Sequence, residues 1–346
     1  MQLGVTDFIE QSEKYTSGTF ENLDINEILS SAISGKIDNT KLWTGTLKIF
    51  GKELQNAITI LGSIILIIII NSILNCITEG LENKSISQIA FYVQYILIVT
   101  IVLTNFSDII SLIKESIQNM TSFTNLLIPI MMTLIITTGS VTTATIIQPI
   151  LVFMISLIGN FINNIAIPIV LVSTALGIVS KISNKVQIDR LAKRLKSSTI
   201  WIIGVTLFVT LVSVDGTLSS SVDAVTSKTA KAAVSNLIPV VGKILGDAVD
   251  SVIGCSSILK NAVGIVGVII ILAISIGPII KLLLFMAIYY IGAAICEPIA
   301  DEKVVKLLDT MGDTFKILLG LMFSMSTMII IGTTLIVKIS NSGSIT

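Results

Sequence analysis

The chain has 346 residues, of which 53% are hydrophobic and 13% charged, and its mean hydropathy is +0.93. Soluble domains carry about 25% charged residues, so this composition excludes an ordinary soluble domain. The 22 basic and 22 acidic residues cancel and histidine is absent, which argues against nucleic-acid binding and against histidine-based catalysis or metal binding. The sequence predicts an all-α polytopic helical membrane protein, with no catalytic residue, no metal and no cofactor.

Residues 1–55 are the most water-compatible part of the chain. Acidic and basic residues alternate there with large apolar ones, a pattern typical of short amphipathic helices on a surface. No hydrophobic signal-peptide core precedes the region, so we expect either that the N-terminus starts here or that a leader precedes this sequence.

Several apolar stretches are long enough to cross a bilayer. The first, Ala57 to Ile77, has no charge in 21 residues, which suffices for about 30 Å of hydrocarbon. The predicted spans are about 57–77, 88–105, 150–176, 198–214 and 315–337. The stretch from Ala262 to Ile295 is another, too long for one straight helix and predicted to be interrupted near Pro278 and Lys281.

An internal duplication is indicated by repeated prolines. Leu127-Ile128-Pro129 recurs as Leu237-Ile238-Pro239, and Pro168-Ile169 recurs as Pro278-Ile279, both at an offset of 110 residues (237 minus 127, 278 minus 168). Duplicated halves with proline-interrupted apolar segments are typical of transporters. We predict a tandem repeat of about 110 residues.

Each repeat contains a segment, 126–149 or 237–258, that opens with Asn and Pro and continues with small polar residues. Backbone groups freed by proline need partners in protein or water rather than in lipid. These segments are predicted to be broken or re-entrant, the alternative being ordinary spans with proline kinks. The predicted helix breaks are at Pro129, Pro168 and Pro278.

The loop after the third span is strongly basic. It is predicted to form a cytoplasmic amphipathic helix at the membrane surface, with the basic residues Lys185, Arg190, Lys193, Arg194 and Lys196. If each repeat crosses twice, residues 78–87 and 297–314 are also cytoplasmic, and 106–125 and 215–236 lie outside.

These predictions divide the chain into five parts. They are an extracytoplasmic amphipathic region (1–55), a first span and loop (56–87), repeat 1 ending in the basic helix (88–197), repeat 2 (198–314) and a last span with a short tail (315–346).

Polar residues concentrate in repeat 2. Ionisable groups at membrane depth are expensive and point to function, although a block lying in water would be merely solvated. Lys281 is surrounded by apolar residues and is expected to snorkel, to meet Asp247 or Asp250, or to line a cavity. Asn160, Asn163 and Asn164 in repeat 1 are expected to bond neighbouring helices. The candidate conduit or partner-contact residues are Lys231, Asn236, Pro239, Gly242, Lys243, Asp247, Asp250, Lys260, Asn261 and Lys281.

The same block carries a family resemblance. Three strings, Asn236-Leu-Ile-Pro-Val-Val-Gly-Lys243, Asp247-Ala-Val-Asp250 and Lys260-Asn-Ala-Val-Gly-Ile-Val-Gly267, together with Thr229-Ala-Lys231, resemble the stage III sporulation protein AE family of endospore-forming bacteria. The similarity in hydropathy extends from about residue 57 to the C-terminus.

This resemblance implies a multi-pass protein of the mother-cell membrane surrounding the forespore. It would belong to the mother-cell half of a complex that links the two cells and is needed for late forespore development. The implied partners are the other proteins of the same operon, namely a secretion-type ATPase, small membrane proteins and ring-forming proteins. Membrane lipid and a second copy of the chain are further expected partners.

Three hypotheses follow for the function. The chain is either a channel core or a non-conducting scaffold that anchors the ring proteins and recruits the ATPase. The third is a permease-like transporter, because the string from Asn236 to Gly242 also resembles one in autoinducer-exporter-type permeases. An intramembrane enzyme has almost no support, since no nucleophile–base pair is recognisable.

Overall fold

The computed structural model describes residues 5–16, 24–35, 40–79, 84–138, 140–182, 190–192, 194–202, 204–205 and 242–341. The described residues are nearly all helical, in agreement with the predicted all-α class. The helices are α1 (Val5–Thr16), α2 (Ile25–Ser34), α3 (Thr40–Glu79), α4 (Lys84–Thr137), α5 (Val141–Phe161), a π-helical turn (Ile162–Ala166), α6 (Ile167–Ile182), α7 (Gly242–Cys296) and α8 (Glu302–Asn341).

Five stretches in the described residues are long and apolar enough to cross a membrane: Leu42–Ile73, Gln88–Thr137, Ala144–Lys181, Ser251–Cys296 and Glu302–Lys338. At about 1.5 Å per residue, the 55-residue α7 is roughly 80 Å long. This is more than twice the thickness of about 30 Å of a hydrocarbon core. The longest helices therefore extend well beyond one bilayer thickness.

The N-terminal helices are short and amphipathic, as predicted for that region. The carboxylate of Asp24 accepts from the backbone N–H groups of Asn26 and Glu27, and Gly35 ends α2 with a φ of +71°. Both are favoured helix caps. In α1, the ring of Phe8 is fully buried and lies 6.1 Å from the ring of Phe123 in α4. The apolar faces of these helices thus pack onto the long ones.

The core is an apolar bundle in which α7 and α8 form an antiparallel pair. Their connection is a tight turn after Cys296, and the carboxylate of Asp301 accepts from the N–H of Lys303 at 2.8 Å, which caps the start of α8. Helix α4 runs parallel to α8, since Phe106 contacts Phe315 and the later residue Met120 contacts Ser326. These helix directions show which residues of α4, α7 and α8 lie at the same height in the bundle.

The predicted helix breaks at two prolines are wrong. Pro129 lies inside α4 and Pro278 inside α7, and both helices continue through them. The interruption in 126–149 lies after the proline, between the end of α4 at Thr137 and the start of α5 at Val141. At Pro168, the chain does depart from regular α-helix, because the π-helical turn ends two residues earlier. Such turns relieve strain around a proline.

The region 106–125, predicted to be a connector outside the membrane, is the middle of α4. Residues 302–314, predicted to be part of a cytoplasmic loop, belong to α8. Helix α7 also runs without interruption through 262–295. Segment 126–149 is therefore broken, between α4 and α5, and the part of 237–258 that the structure describes belongs to α7. Re-entry of either segment into the membrane stays a prediction.

Candidate functional site: polar groups among the apolar helices

Lys281 pairs with a carboxylate of the N-terminal region. Its Nζ lies 3.8 Å from Oε2 of Glu53 in α3, and the two side chains are 23% and 15% exposed. The alternative of a pair with Asp250 within the chain is wrong, because 31 residues (281 minus 250) of the same helix separate them, or about 46 Å. The ion pair therefore joins α3 to α7.

Lys260 is completely buried between α7 and α8. Its Nζ donates to the backbone carbonyl of Val337 at 2.8 Å, in the last turns of α8. A cation near a helix C-terminus is stabilised by the helix dipole. The neighbouring Asn261 has a buried Oδ1 without a hydrogen-bond partner among the residues that the structure describes. Lys260 thus joins α7 to α8, which is a structural role and differs from the conduit role predicted for it.

The remaining candidate residues, between 231 and 250, fall in two groups. Gly242 is the first residue of α7, and Lys243, Asp247 and Asp250 follow in its first turns. Their side chains lie outside the described part, so their role in a conduit or partner contact stays a prediction. The residues outside the described ranges altogether are Lys231, Asn236 and Pro239.

The three asparagines at the end of α5 and in the π-helical turn lie beside the middle of α4. Nδ2 of Asn163 donates to the carbonyl of Lys114 at 3.4 Å, so the predicted role in joining helices is confirmed for this residue. Asn160 and Asn164 are exposed. Further along the same two helices, Asn125 bonds the hydroxyl of Ser156 at 3.3 Å. Polar contacts therefore follow the seam between α4 and the α5–α6 segment.

These polar groups share one level of the bundle, which we call the middle polar level and define by Glu53, Lys114, Asn163 and Lys281. Lys114 lies on α4 between the residues that contact Phe315 and Ser326 of α8. Lys281 lies one turn before Phe285 on α7, and the ring of Phe285 contacts Phe315 of α8. Because the two helices are antiparallel, Lys281 lies about one turn beyond Phe315, towards the C-terminal end of α8. Charged and amide groups from four separate parts of the chain thus lie at one height in the bundle.

The basic segment after α6 is helical at 190–192 and 194–202, and part of it docks into the bundle. Nζ of Lys196 donates to the hydroxyl of Thr314 at 2.8 Å, and that hydroxyl lies 2.9 Å from the hydroxyl of Thr174. Ser173 bonds the carbonyl of Ala192 at 2.7 Å. The prediction that all five basic residues lie on the membrane surface is therefore wrong for Lys196. Arg190 and Arg194 are exposed, and Lys185 and Lys193 lie outside the description of side chains.

Sequence reasoning missed three members of this arrangement: Glu53, Lys114 and Thr314. A signal existed for Glu53, because it is the last charge before the long uncharged run. Lys114 and Thr314 become neighbours of Asn163 and Lys196 only through packing of helices distant in the chain.

Comparison with known proteins agrees with this membrane-protein architecture. The family model for stage III sporulation protein AE matches residues 23–340. The chain is 32% identical over 295 residues to stage III sporulation protein AE of Bacillus subtilis (strain 168), which covers 85% of this chain and 74% of the relative. No solved structure matches the chain at a significant level. With a match over most of its length, this chain belongs to the stage III sporulation protein AE family.

Proposed function

We propose that this protein is the polytopic membrane core of the mother-cell side of a channel complex that connects mother cell and forespore. Membership of the sporulation family and five helices suited to spanning a membrane support this proposal. In this proposal the protein lies in the mother-cell membrane around the forespore. Its partners are the ATPase, the small membrane proteins and the ring-forming proteins of the same operon.

In this proposal the conduit lies between neighbouring copies of the protein and does not run through the middle of one copy. Within the described core, the ring of Phe315 packs against Phe106, Phe285 and Tyr289, with centroid distances of 5.4 to 5.7 Å. Close aromatic packing of this kind leaves little room for water. The one observation that carries the proposal is that the centre of α4, α7 and α8 is filled with aromatic rings, whereas Lys114, Asn160 and Asn164 lie on outer faces.

The scaffold alternative is favoured by the N-terminal helices. Their apolar faces pack on Phe123, beyond the middle polar level, while Glu10, Glu13, Asp24 and Glu27 are exposed. Charged exposed faces fit a surface in water, as proposed for the extracytoplasmic side where ring-forming proteins would attach. The permease alternative depends on the string from Asn236 to Gly242, of which the structure describes only the glycine.

Deletion of the gene tests the proposal as a whole. We expect forespores to arrest after engulfment, and a tagged copy to locate to the membrane around the forespore and to co-purify with the ATPase. Normal numbers of heat-resistant spores in the deletion strain would overturn the proposed function.

Alanine substitution separates the conduit from the scaffold. If the chain lines a conduit, Lys114→Ala, Asp247→Ala and Asp250→Ala should abolish forespore development while the complex still co-purifies. Loss of co-purification, or normal development, favours the scaffold. Lys52→Ala is the matched control, because Lys52 is an exposed charge next to Glu53 on α3.

A further inference from the structure

A belt of uncharged side chains surrounds one half of the bundle, between the middle polar level and the turn that joins α7 to α8. Residues 54–78 of α3 and 85–107 of α4 carry no charge. The belt continues on α6 and α7. On each of these four helices it includes an apolar side chain that is between 51% and 62% exposed, namely Leu66, Ile96, Val172 and Ile291. These side chains lie on the outside of the bundle and suit contact with lipid.

Polar residues border the belt at both ends. Lys52 of α3, Asp108 of α4 and Asn164 beside α6 are exposed at the border near the middle polar level. From Lys84 to Asp108, α4 has 24 residues (108 minus 84), or about 36 Å. From Asn164 to Lys181 the chain has 17 residues (181 minus 164), or about 25 Å. These heights bracket the thickness of about 30 Å of a hydrocarbon core.

The half of the bundle beyond the middle polar level keeps most of its apolar residues inside. Residues 261–280 of α7 carry no charge, yet Leu272 is the one exposed side chain in that range. The most apolar window of α7 is 67% buried, whereas that of α3 is 22% buried. Where α4 enters this half, every exposed residue from Thr104 to Gln118 is polar. Packing against protein thus accounts for the apolar run of α7, and the surface of α4 there suits water.

One face in each half departs from this division. At the level of the belt, every exposed residue of α8 from Glu302 to Lys316 is charged, and Nζ of Lys303 lies 5.2 Å from the ring centroid of Phe91 in α4. Ionisable groups at membrane depth face protein or water, so the belt is open on the side of α8. In the other half, α5 exposes an apolar stripe that consists of Ile146, Phe153 and Leu157. Apolar patches on a surface in water commonly mark protein contacts.

We propose that the bilayer surrounds only the half of the bundle that carries the belt, and that the other half stands in water. Helices α3, α4, α6, α7 and α8 then each cross the membrane once. The apolar stretches 262–280 and 317–337 belong to the core of a bundle outside the membrane, although hydropathy predicts spans there. From Lys281 back to Ser251, α7 rises through 30 residues (281 minus 251), or about 45 Å, above the membrane.

This placement goes beyond the proposed function, because it holds for a channel core and for a scaffold alike. It names the part of the chain that is open to soluble partners, namely the half that contains α1, α2 and the apolar stripe of α5.

Fluorescence quenching in reconstituted vesicles tests the placement. The full-length protein, with Cys76, Cys255 and Cys296 replaced by serine, receives one new cysteine that carries a bimane fluorophore. Leu272→Cys and Ile291→Cys form a matched pair on α7. They lie 9 and 10 residues from Lys281 on opposite sides (281 minus 272, 291 minus 281), and the native side chains are 45% and 51% exposed. Gln118→Cys and Ile96→Cys form a second pair on α4, both at exposed positions.

Two quenchers report on lipid and on water. Phosphatidylcholine with brominated acyl chains should quench the fluorophore at positions 291 and 96 severalfold more than at 272 and 118. Iodide, present on both sides of the vesicle membrane, should show the opposite order. Equal quenching of positions 272 and 291 by brominated lipid, or no quenching of position 272 by iodide, overturns the placement. The assay uses purified protein and reads no spore formation, so a failure of the proposed function leaves its result unchanged.

Discussion

Lys281 and Glu53 form an ion pair, 3.8 Å apart, between helices that are 228 residues apart in sequence (281 minus 53). Both side chains are mostly buried, so each charge depends on the other for compensation. The pair fixes α3 beside α7 at the middle polar level. It also connects the amphipathic N-terminal region to the second half of α7.

Removal of one member of this pair should destabilise the protein more than removal of both. Glu53→Gln or Lys281→Met leaves one charge poorly solvated, and we expect a loss of about 1–3 kcal/mol in unfolding free energy. The double variant should lie within about 1 kcal/mol of the native protein. Unfolding of the detergent-solubilised protein measures both. A loss in the double variant equal to the sum of the two single losses would show that the pair contributes no coupling.

Gly312 should tolerate no side chain. A Cβ there would lie 2.8 Å from Cε1 of the Tyr290 ring, which cannot move away without losing its bond to Asp313. We expect Gly312→Ala to destabilise by about 1–3 kcal/mol through overpacking.

Gly320→Ala is the control for this prediction, because it lies on the same helix with open space around it. Alanine is a better helix former than glycine by about 1 kcal/mol, so the control should be neutral or more stable. Thermal unfolding in detergent compares the two, and equal melting temperatures would contradict the packing.

Lys260 should act through its charge as well as its length. Lys260→Met keeps the aliphatic stem but leaves the carbonyl of Val337 without its donor. We expect a loss of about 1–2 kcal/mol, from the hydrogen bond and the helix dipole. The exposed Lys338, at the same end of α8, gives the control Lys338→Met, which should change stability by less than about 0.5 kcal/mol. Equal effects would refute a specific role for Lys260.

Thr314 should hold the basic segment in place. Thr314→Val keeps the side-chain shape but removes the acceptor for Lys196 and the partner of Thr174. We expect trypsin to cut at the exposed Arg190 and Arg194 several times faster, since the segment would detach more often. The exposed Thr327 on α8 gives the control Thr327→Val. Unchanged cleavage in Thr314→Val would mean that other contacts hold the segment.

The proline positions illustrate what sequence pattern predicts poorly. A proline removes one backbone hydrogen bond and crowds the preceding turn, and the sequence shows where this occurs. Whether the helix ends there depends on neighbouring helices that hold it straight. Pro278 is buried inside the bundle and α7 continues through it, whereas the chain turns after Thr137, where no proline stands.

The amino-acid sequence by itself determined the class of this protein. Long uncharged stretches avoid water whatever their arrangement in the fold. The alternation of charged and apolar residues in 1–55 requires helices with one solvent-exposed face. Tertiary structure decided which polar groups meet. The pairs Lys281–Glu53 and Lys196–Thr314, and the alignment of the charged start of α8 with an apolar part of α4, depend on the direction and offset of packed helices. Hydropathy is a property of each segment alone and carries no information about that offset.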